Sequence, residues 1–143
     1  MPPEPTFTFT TTVPDTALEK WFSAHFREHS FAATGIEGRG PVQAITATLP
    51  DGTLCGAVTY RVFWGALHIK NLMVDEGHRG KGLARALMER ALDNGRNAKC
   101  PFAIVETLSF QATGFYKKLG FIEEFVREGF SAGVSFHYLR KPL

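Results

Sequence analysis

The chain is 143 residues long, 44% hydrophobic and 21% charged, the make-up of a single globular domain that can bury a core without disulfide or metal staples. Its formal net charge of +2 is too small to point to nucleic acid, and no apolar run approaches the length of a membrane span. Cys55 and Cys100 offer neither a metal spacing nor a disulfide framework, and Met1-Pro2-Pro3-Glu4-Pro5 lacks the basic and apolar blocks of a signal peptide. The expectation is a cytoplasmic protein, one domain over residues 1–143 with 1–5 outside ordered structure, and no membrane, nucleic-acid or metal partner. Residues 1–77 hold 5 basic and 8 acidic side chains, whereas residues 78–143 hold 11 and 6, so an anionic ligand favours the second half. The 13 phenylalanines are expected to line a core or a cleft.

Phe7 to Val13 alternates apolar and polar residues and is aromatic or β-branched throughout, which predicts a strand. Pro14 stops it and Asp15 is placed to cap a helix, in which Leu18, Trp21, Phe22, His25 and Phe26 form a core-facing stripe. Val42–Leu49 and Leu54–Phe63 flank the turn Pro50-Asp51-Gly52 and read as a hairpin; Ala66–Val74 is a further strand. From Lys81 a helical stripe runs through residue 92 and is closed by Asn94-Gly95. Phe102–Val105 is a short apolar strand, Ala112–Leu119 a second helix stopped by Gly120, and Phe121–Val126 and Val134–Arg140 are the last strands. The order βαβββαβαββ predicts an α/β fold of the α+β kind. A mixed, mostly antiparallel sheet of about seven strands carries helices on both faces, with a parallel crossover between 66 and 105.

Two segments carry the chemistry. Gly77-His78-Arg79-Gly80-Lys81-Gly82-Leu83-Ala84-Arg85 lies between a strand and a helix. Gly80 and Gly82 leave the backbone open to a ligand, and the unpaired N–H groups of a helix start favour phosphate. Arg79, Lys81 and Arg85 add positive charge. The bland alternative is a glycine turn before a solvated basic helix face. The segment is neither a Walker loop, lacking its Lys-[Ser/Thr] ending, nor a dinucleotide Gly-x-Gly-x-x-Gly loop. The second segment, Ala112-Thr113-Gly114-Phe115-Tyr116-Lys117-Lys118-Leu119-Gly120-Phe121, taken alone is an amphipathic helix with a tyrosine at the core rim.

Together they resemble the GNAT superfamily of acetyl-CoA-dependent N-acetyltransferases. Arg79, Gly82 and Ala84 match its Arg/Gln-x-x-Gly-x-Gly/Ala motif; Ala112, Phe115 (for Leu), Tyr116, Lys118, Gly120 and Phe121 match its Ala-x-x-Leu-Tyr-x-Lys-x-Gly-Phe motif. The resemblance covers roughly residues 42 to 140, with one helix fewer than many members carry. It implies acetyl-CoA as donor, with the backbone of Leu72, Met73 and Val74 holding the pantetheine arm like an added strand. The backbone from Arg79 through Gly80, Lys81, Gly82 and Leu83 to Ala84 would wrap the pyrophosphate, and Tyr116 would protonate the leaving sulfur. Where many members have Asn seven residues before the Tyr, this chain has Ser109; Ser109 acting through water, or Gln111, takes that contact.

For a general base the candidates are Glu106, at the end of a strand, and His68, whose bland reading is a half-buried sheet histidine; a water chain is the third possibility. Cys100 reads as a structural thiol. The resemblance implies acetyl transfer to the primary amine of a small molecule. The alternatives are a protein lysine or N-terminal amine, and a non-catalytic acyl-CoA-binding module, against which Tyr116 argues. A homodimer stays open.

Overall fold

Asp15 opens the first helix by accepting the Leu18 N–H at its Oδ1 (2.8 Å), and Gly35, at φ 78°, closes it by donating its N–H to the Phe31 carbonyl. This is α1 (Thr16–Thr34) in a computed structural model that describes residues 1–143. The chain divides into two compact units, Met1–Glu37 and Gly38–Leu143. In the first, two expectations fail. Phe7–Val13 joins no ladder, and Phe7, Phe9 and Val13 are 72%, 92% and 84% exposed. β propensity measures fit to a pleated, half-buried surface, so alternation without a neighbouring strand makes no strand. Nor are Trp21, Phe22 and Phe26 core residues: α1 buries none of its side chains, and these rings contact one another, Trp21 edge-on to Phe22 and Phe22 stacked on Phe26.

The second unit is a six-stranded sheet in the order β1-β2-β3-β4-β6-β5, one strand fewer than the sequence predicts. Its strands are β1 (Gln43–Thr48), β2 (Leu54–Phe63), β3 (Ala66–Val74), β4 (Phe102–Leu108), β5 (Ile122–Arg127) and β6 (Phe136–Pro142). All neighbours are antiparallel except β3 and β4, which run parallel through the crossover helix α2 (Leu83–Asn97). The short helix α3 (Thr113–Lys118) follows β4.

Strand alternation divides the sheet's two faces. Val58, Tyr60, Leu67, Ile69, Ala103, Val105 and Leu139 are buried in one cluster with Leu87, Met88, Ala91 and Leu92 of α2 and with Tyr116, Leu119 and Phe121 around α3. Phe121 is the one phenylalanine in this core, so the aromatic excess is spent elsewhere, on rings left wholly or partly open. Gly95 does not stop α2 as predicted. It sits buried inside the helix, where an added Cβ would lie 2.8 Å from Leu67 Cδ2 and 3.2 Å from Leu67 Cβ. Glycine lets the helix axis approach β3 at that point.

Candidate active site

Strands β3 and β4 pair for only three residues: Leu67 with Ala103, His68 with Ile104, Ile69 with Val105. Beyond them β3 continues to Val74, still paired with β2 on its outer edge, and β4 continues to Leu108, still paired with β6. The inner edges of residues 70–74 and 106–108 therefore present backbone N–H and C=O groups that no strand answers. A ligand with its own amides, lying extended between the edges, satisfies them as an added strand. Backbone groups alternate between the two edges of a strand, and the Asp75 N–H bonded to the Cys55 carbonyl at 2.8 Å sets the phase: Leu72 and Val74 face this open edge, and Met73 between them faces Ala57 of β2.

The strand leads directly into the basic loop. Arg79 turns back and braces it: its Nε donates to the Val74 carbonyl at 3.0 Å. Gly80 and Gly82 have φ of 76° and 78°, and a Cβ at either would meet nothing within 4 Å. The left-handed backbone thus explains glycine there, and it leaves open space over the loop. Gly82 begins α2 without a side-chain cap, so the N–H groups of Leu83, Ala84 and Arg85 face outward unpaired, at the positive end of a 15-residue helix. Lys81 is exposed, and Arg85 is held by Glu89 at 2.9 Å. These donors and charges form a cradle suited to a diphosphate.

At the foot of the opening, the two candidate bases form one unit. Glu106 is the first β4 residue past the paired stretch, and its Oε2 bonds His68 Nε2 at 2.8 Å. That bond, chiefly, holds the Glu106 carboxyl below the ordinary glutamate range against the opposing effect of its burial. Facing a carboxylate, Nε2 is the ring nitrogen that donates; Nδ1 is buried with no partner. Only Oε2 of Glu106 is engaged by His68. These residues are 38 apart in sequence, so no local pattern joins them; only the parallel pairing of the two strands does.

Tyr116, on α3, is 7% exposed, wedged edge-on between Phe115 (5.3 Å) and Phe121 (5.7 Å), and its hydroxyl makes no hydrogen bond within the protein. Desolvation raises its pKa above the usual phenol value, so the O–H stays protonated at any physiological pH.

At the position of the expected Asn contact, the two substitutes already have partners within the chain. Ser109 Oγ accepts the Ser135 N–H at 3.0 Å, which ties the end of β4 to the start of β6. Gln111 Oε1 accepts from Thr107 Oγ1 at 3.1 Å and from the Leu108 N–H at 3.0 Å. Gripped by its oxygen, Gln111 holds a fixed amide nitrogen free to donate beside the open edge of β4; Ser109 is largely committed to the fold. Sequence reading did not find Thr107, the buried hydroxyl that fixes Gln111.

Residues 7–121 match the Acetyltransferase (GNAT) family. The chain belongs to this family. It is an acetyl-CoA-dependent acetyltransferase. This acetyltransferase is 38% identical over 103 residues to blasticidin-S acetyltransferase of Streptomyces morookaense, covering 71% of this chain and 76% of that protein. It is 34% identical over 92 residues to streptothricin acetyltransferase of Streptomyces lavendulae, covering 61% of this chain and 49% of that protein. Among solved structures, an acetyltransferase from Bacillus cereus ATCC 14579 aligns at TM-score 0.77 with 25% identity, over 94% of this chain and 98% of that one. The sheet with its parallel β3–β4 pair is the GNAT fold. No helix is long and apolar enough to cross a membrane.

Proposed function

We propose that this acetyltransferase moves the acetyl group of acetyl-CoA directly to a primary amine of a small molecule. The observation that carries the reading is the opening between β3 and β4. It has the uncapped, glycine-bounded start of α2 at its mouth and the His68–Glu106 pair at its foot. The backbone from Arg79 to Ala84 holds the diphosphate, Leu72 and Val74, on either side of Met73, bond the pantetheine arm along the β3 edge, and Gln111 donates to the arm from the β4 side. Phe115 packs Tyr116 from the side, and Arg85 and Lys81 supply positive charge around the phosphates. The names of the two antibiotic-modifying relatives support a small-molecule acceptor.

The chemistry asked of the chain is proton management. An alkyl ammonium with a pKa near 10.4 is neutral in only about one part in a thousand at pH 7.4. A carboxylate cannot strip that proton unaided: even an unperturbed glutamate lies roughly six pK units, or about 8 kcal/mol, below the amine, and the Glu106 carboxyl is lowered further. Glu106 therefore attracts the cationic amine. The small fraction that has already lost one proton to solvent attacks the thioester carbon through its lone pair, and Glu106 accepts the second proton as the C–N bond forms and the N–H becomes strongly acidic. The C–S bond breaks as the new C–N bond is completed, and Tyr116 gives its proton to the departing thiolate. Transfer needs no acetylated enzyme: Cys55 and Cys100 are each 4% exposed, and burial raises the Cys100 thiol pKa, the opposite of what a nucleophile requires.

Initial-rate kinetics with acetyl-CoA and varied amines test the reading. A ternary-complex pattern is expected, with Glu106→Gln losing kcat/KM most steeply for cationic acceptors. A ping-pong pattern, or an acetyl group trapped on either cysteine, overturns direct transfer.

A further inference from the structure

Resting on that reading, we infer that the acceptor carries a planar, π-rich ring close to its amine, and that the ring lies on an aromatic run beginning beside Glu106. In the sheet register Glu106 stands directly opposite Tyr138, and Tyr138 opposite Phe125, so all three side chains share the face away from α2. From Tyr138 the rings continue to Phe136 at 5.2 Å and from Phe136 to Phe130 at 6.1 Å. Phe130 is 45% exposed and belongs to no helix or strand; it ends a contiguous run of rings rather than standing alone on the surface.

Other rings on this face are already stacked. Arg61 lies over Phe63 at 5.1 Å, Arg140 over Phe102 at 3.7 Å, and Arg127 over Phe125 at 5.4 Å. No guanidinium covers Tyr138, Phe136 or Phe130; Tyr138 also contacts Phe125 at 5.8 Å, and Tyr138 and Phe136 remain partly exposed, so the run keeps aromatic surface for a ligand. Directly opposed residues on neighbouring strands have Cα atoms about 5 Å apart. An amine held at Glu106 Oε1 therefore puts its next few atoms over Tyr138 and a ring attached there over the Tyr138–Phe136 contact. The carboxylate selects the cation, and the rings select a flat body over an aliphatic chain of the same size.

The test uses matched amine pairs, each an arylalkylamine and its ring-hydrogenated counterpart, with wild type, Phe136→Leu and Phe130→Leu. Kcat/KM comes from CoA thiol release, and amine binding to the acetyl-CoA-loaded chain from calorimetry. Wild type is expected to favour the aromatic member of each pair by about three- to tenfold, the usual size of aromatic pairing. Each substitution should bring that ratio toward one. Phe130→Leu lies outside the sheet and keeps the test valid if Phe136→Leu folds poorly. A ratio near one in wild type, a ratio unmoved by both substitutions, or self-association that covers these rings in sedimentation overturns the inference while leaving amine acetylation standing. Failure to bind acetyl-CoA at all instead sinks the underlying reading, and the inference with it.

Discussion

On β3, Leu67 and Ile69 turn toward α2 and are 0% and 1% exposed, whereas His68 between them turns the other way and bonds Glu106. β4 repeats the division, with Ala103, Val105 and Thr107 buried on one side and Glu106 left half-buried on the other. One face of the sheet is aliphatic and closed by α2; the opposite face holds a carboxylate, a histidine and open aromatic rings. Residue parity along a strand separates stability from chemistry, so the two can be damaged independently. Tyr116 is the exception, because it is part of the buried cluster and is also proposed to reach the reacting sulfur.

The largest effect is therefore expected where the division fails. Tyr116→Phe keeps the ring contacts with Phe115 and Phe121 and removes one oxygen that no protein group bonds. It should lower kcat by about 10²- to 10⁴-fold while acetyl-CoA affinity, read by calorimetry, stays close to wild type. Full kcat, with chemistry shown to be rate-limiting, would make Tyr116 a packing residue only.

Next come two neighbours with opposite outcomes. Leu67→Ala removes a fully buried side chain and should cost about 2–5 kcal/mol in urea unfolding, with the shape of the pH–rate profile retained in what stays folded. His68→Ala, one residue along, should cost far less stability and change the pH dependence of kcat/KM, because Glu106 loses the bond that lowers its pKa. Equal destabilisation by the two, with unaltered profiles, would dissolve the distinction between the faces.

A smaller effect is expected at Gly95. Alanine in place of an interior helical glycine gains up to about 1 kcal/mol of helix propensity. Here the new methyl would press on Leu67, which is sealed in the core and has no free direction to retreat. Overpacking typically costs about 1–3 kcal/mol, so a net loss in thermal or urea unfolding is expected. A gain would mean that α2 can shift off the sheet.

The same contrast explains what was legible in the sequence. The β3–α2–β4 crossover could be read because each element has its own period, and the loop because Gly80 and Gly82 answer a local backbone demand. Tyr116 was placed by its motif. The His68–Glu106 bond was not legible, since it depends on which residues of two distant strands fall side by side. Gly95 misled for a related reason: a glycine that ends a helix and one that admits a neighbour look alike until the neighbour, Leu67, is known. Phe7–Val13 has the pattern of a strand but no edge to join.

The smallest effect concerns acid. The folded-state pKa of Glu106 is lowered, mainly by the His68 hydrogen bond. The stability this carboxylate adds is fully present above its unfolded pKa, near 4.3, and is lost as the pH falls through its lower folded value. Because the pair keeps 19% and 31% side-chain exposure, solvent screening limits the contribution to about 1 kcal/mol or less. Glu123 and Asp51 also have lowered pKa values, so acid unfolding of wild type alone would not isolate Glu106. The difference between wild type and Glu106→Gln cancels their contributions. Urea midpoints over a pH series should show that difference level above about pH 5 and shrinking below it. A difference that persists undiminished at low pH would mean that the charge on Glu106 is not what stabilises this corner of the sheet, since a glutamine oxygen can still accept the His68 N–H.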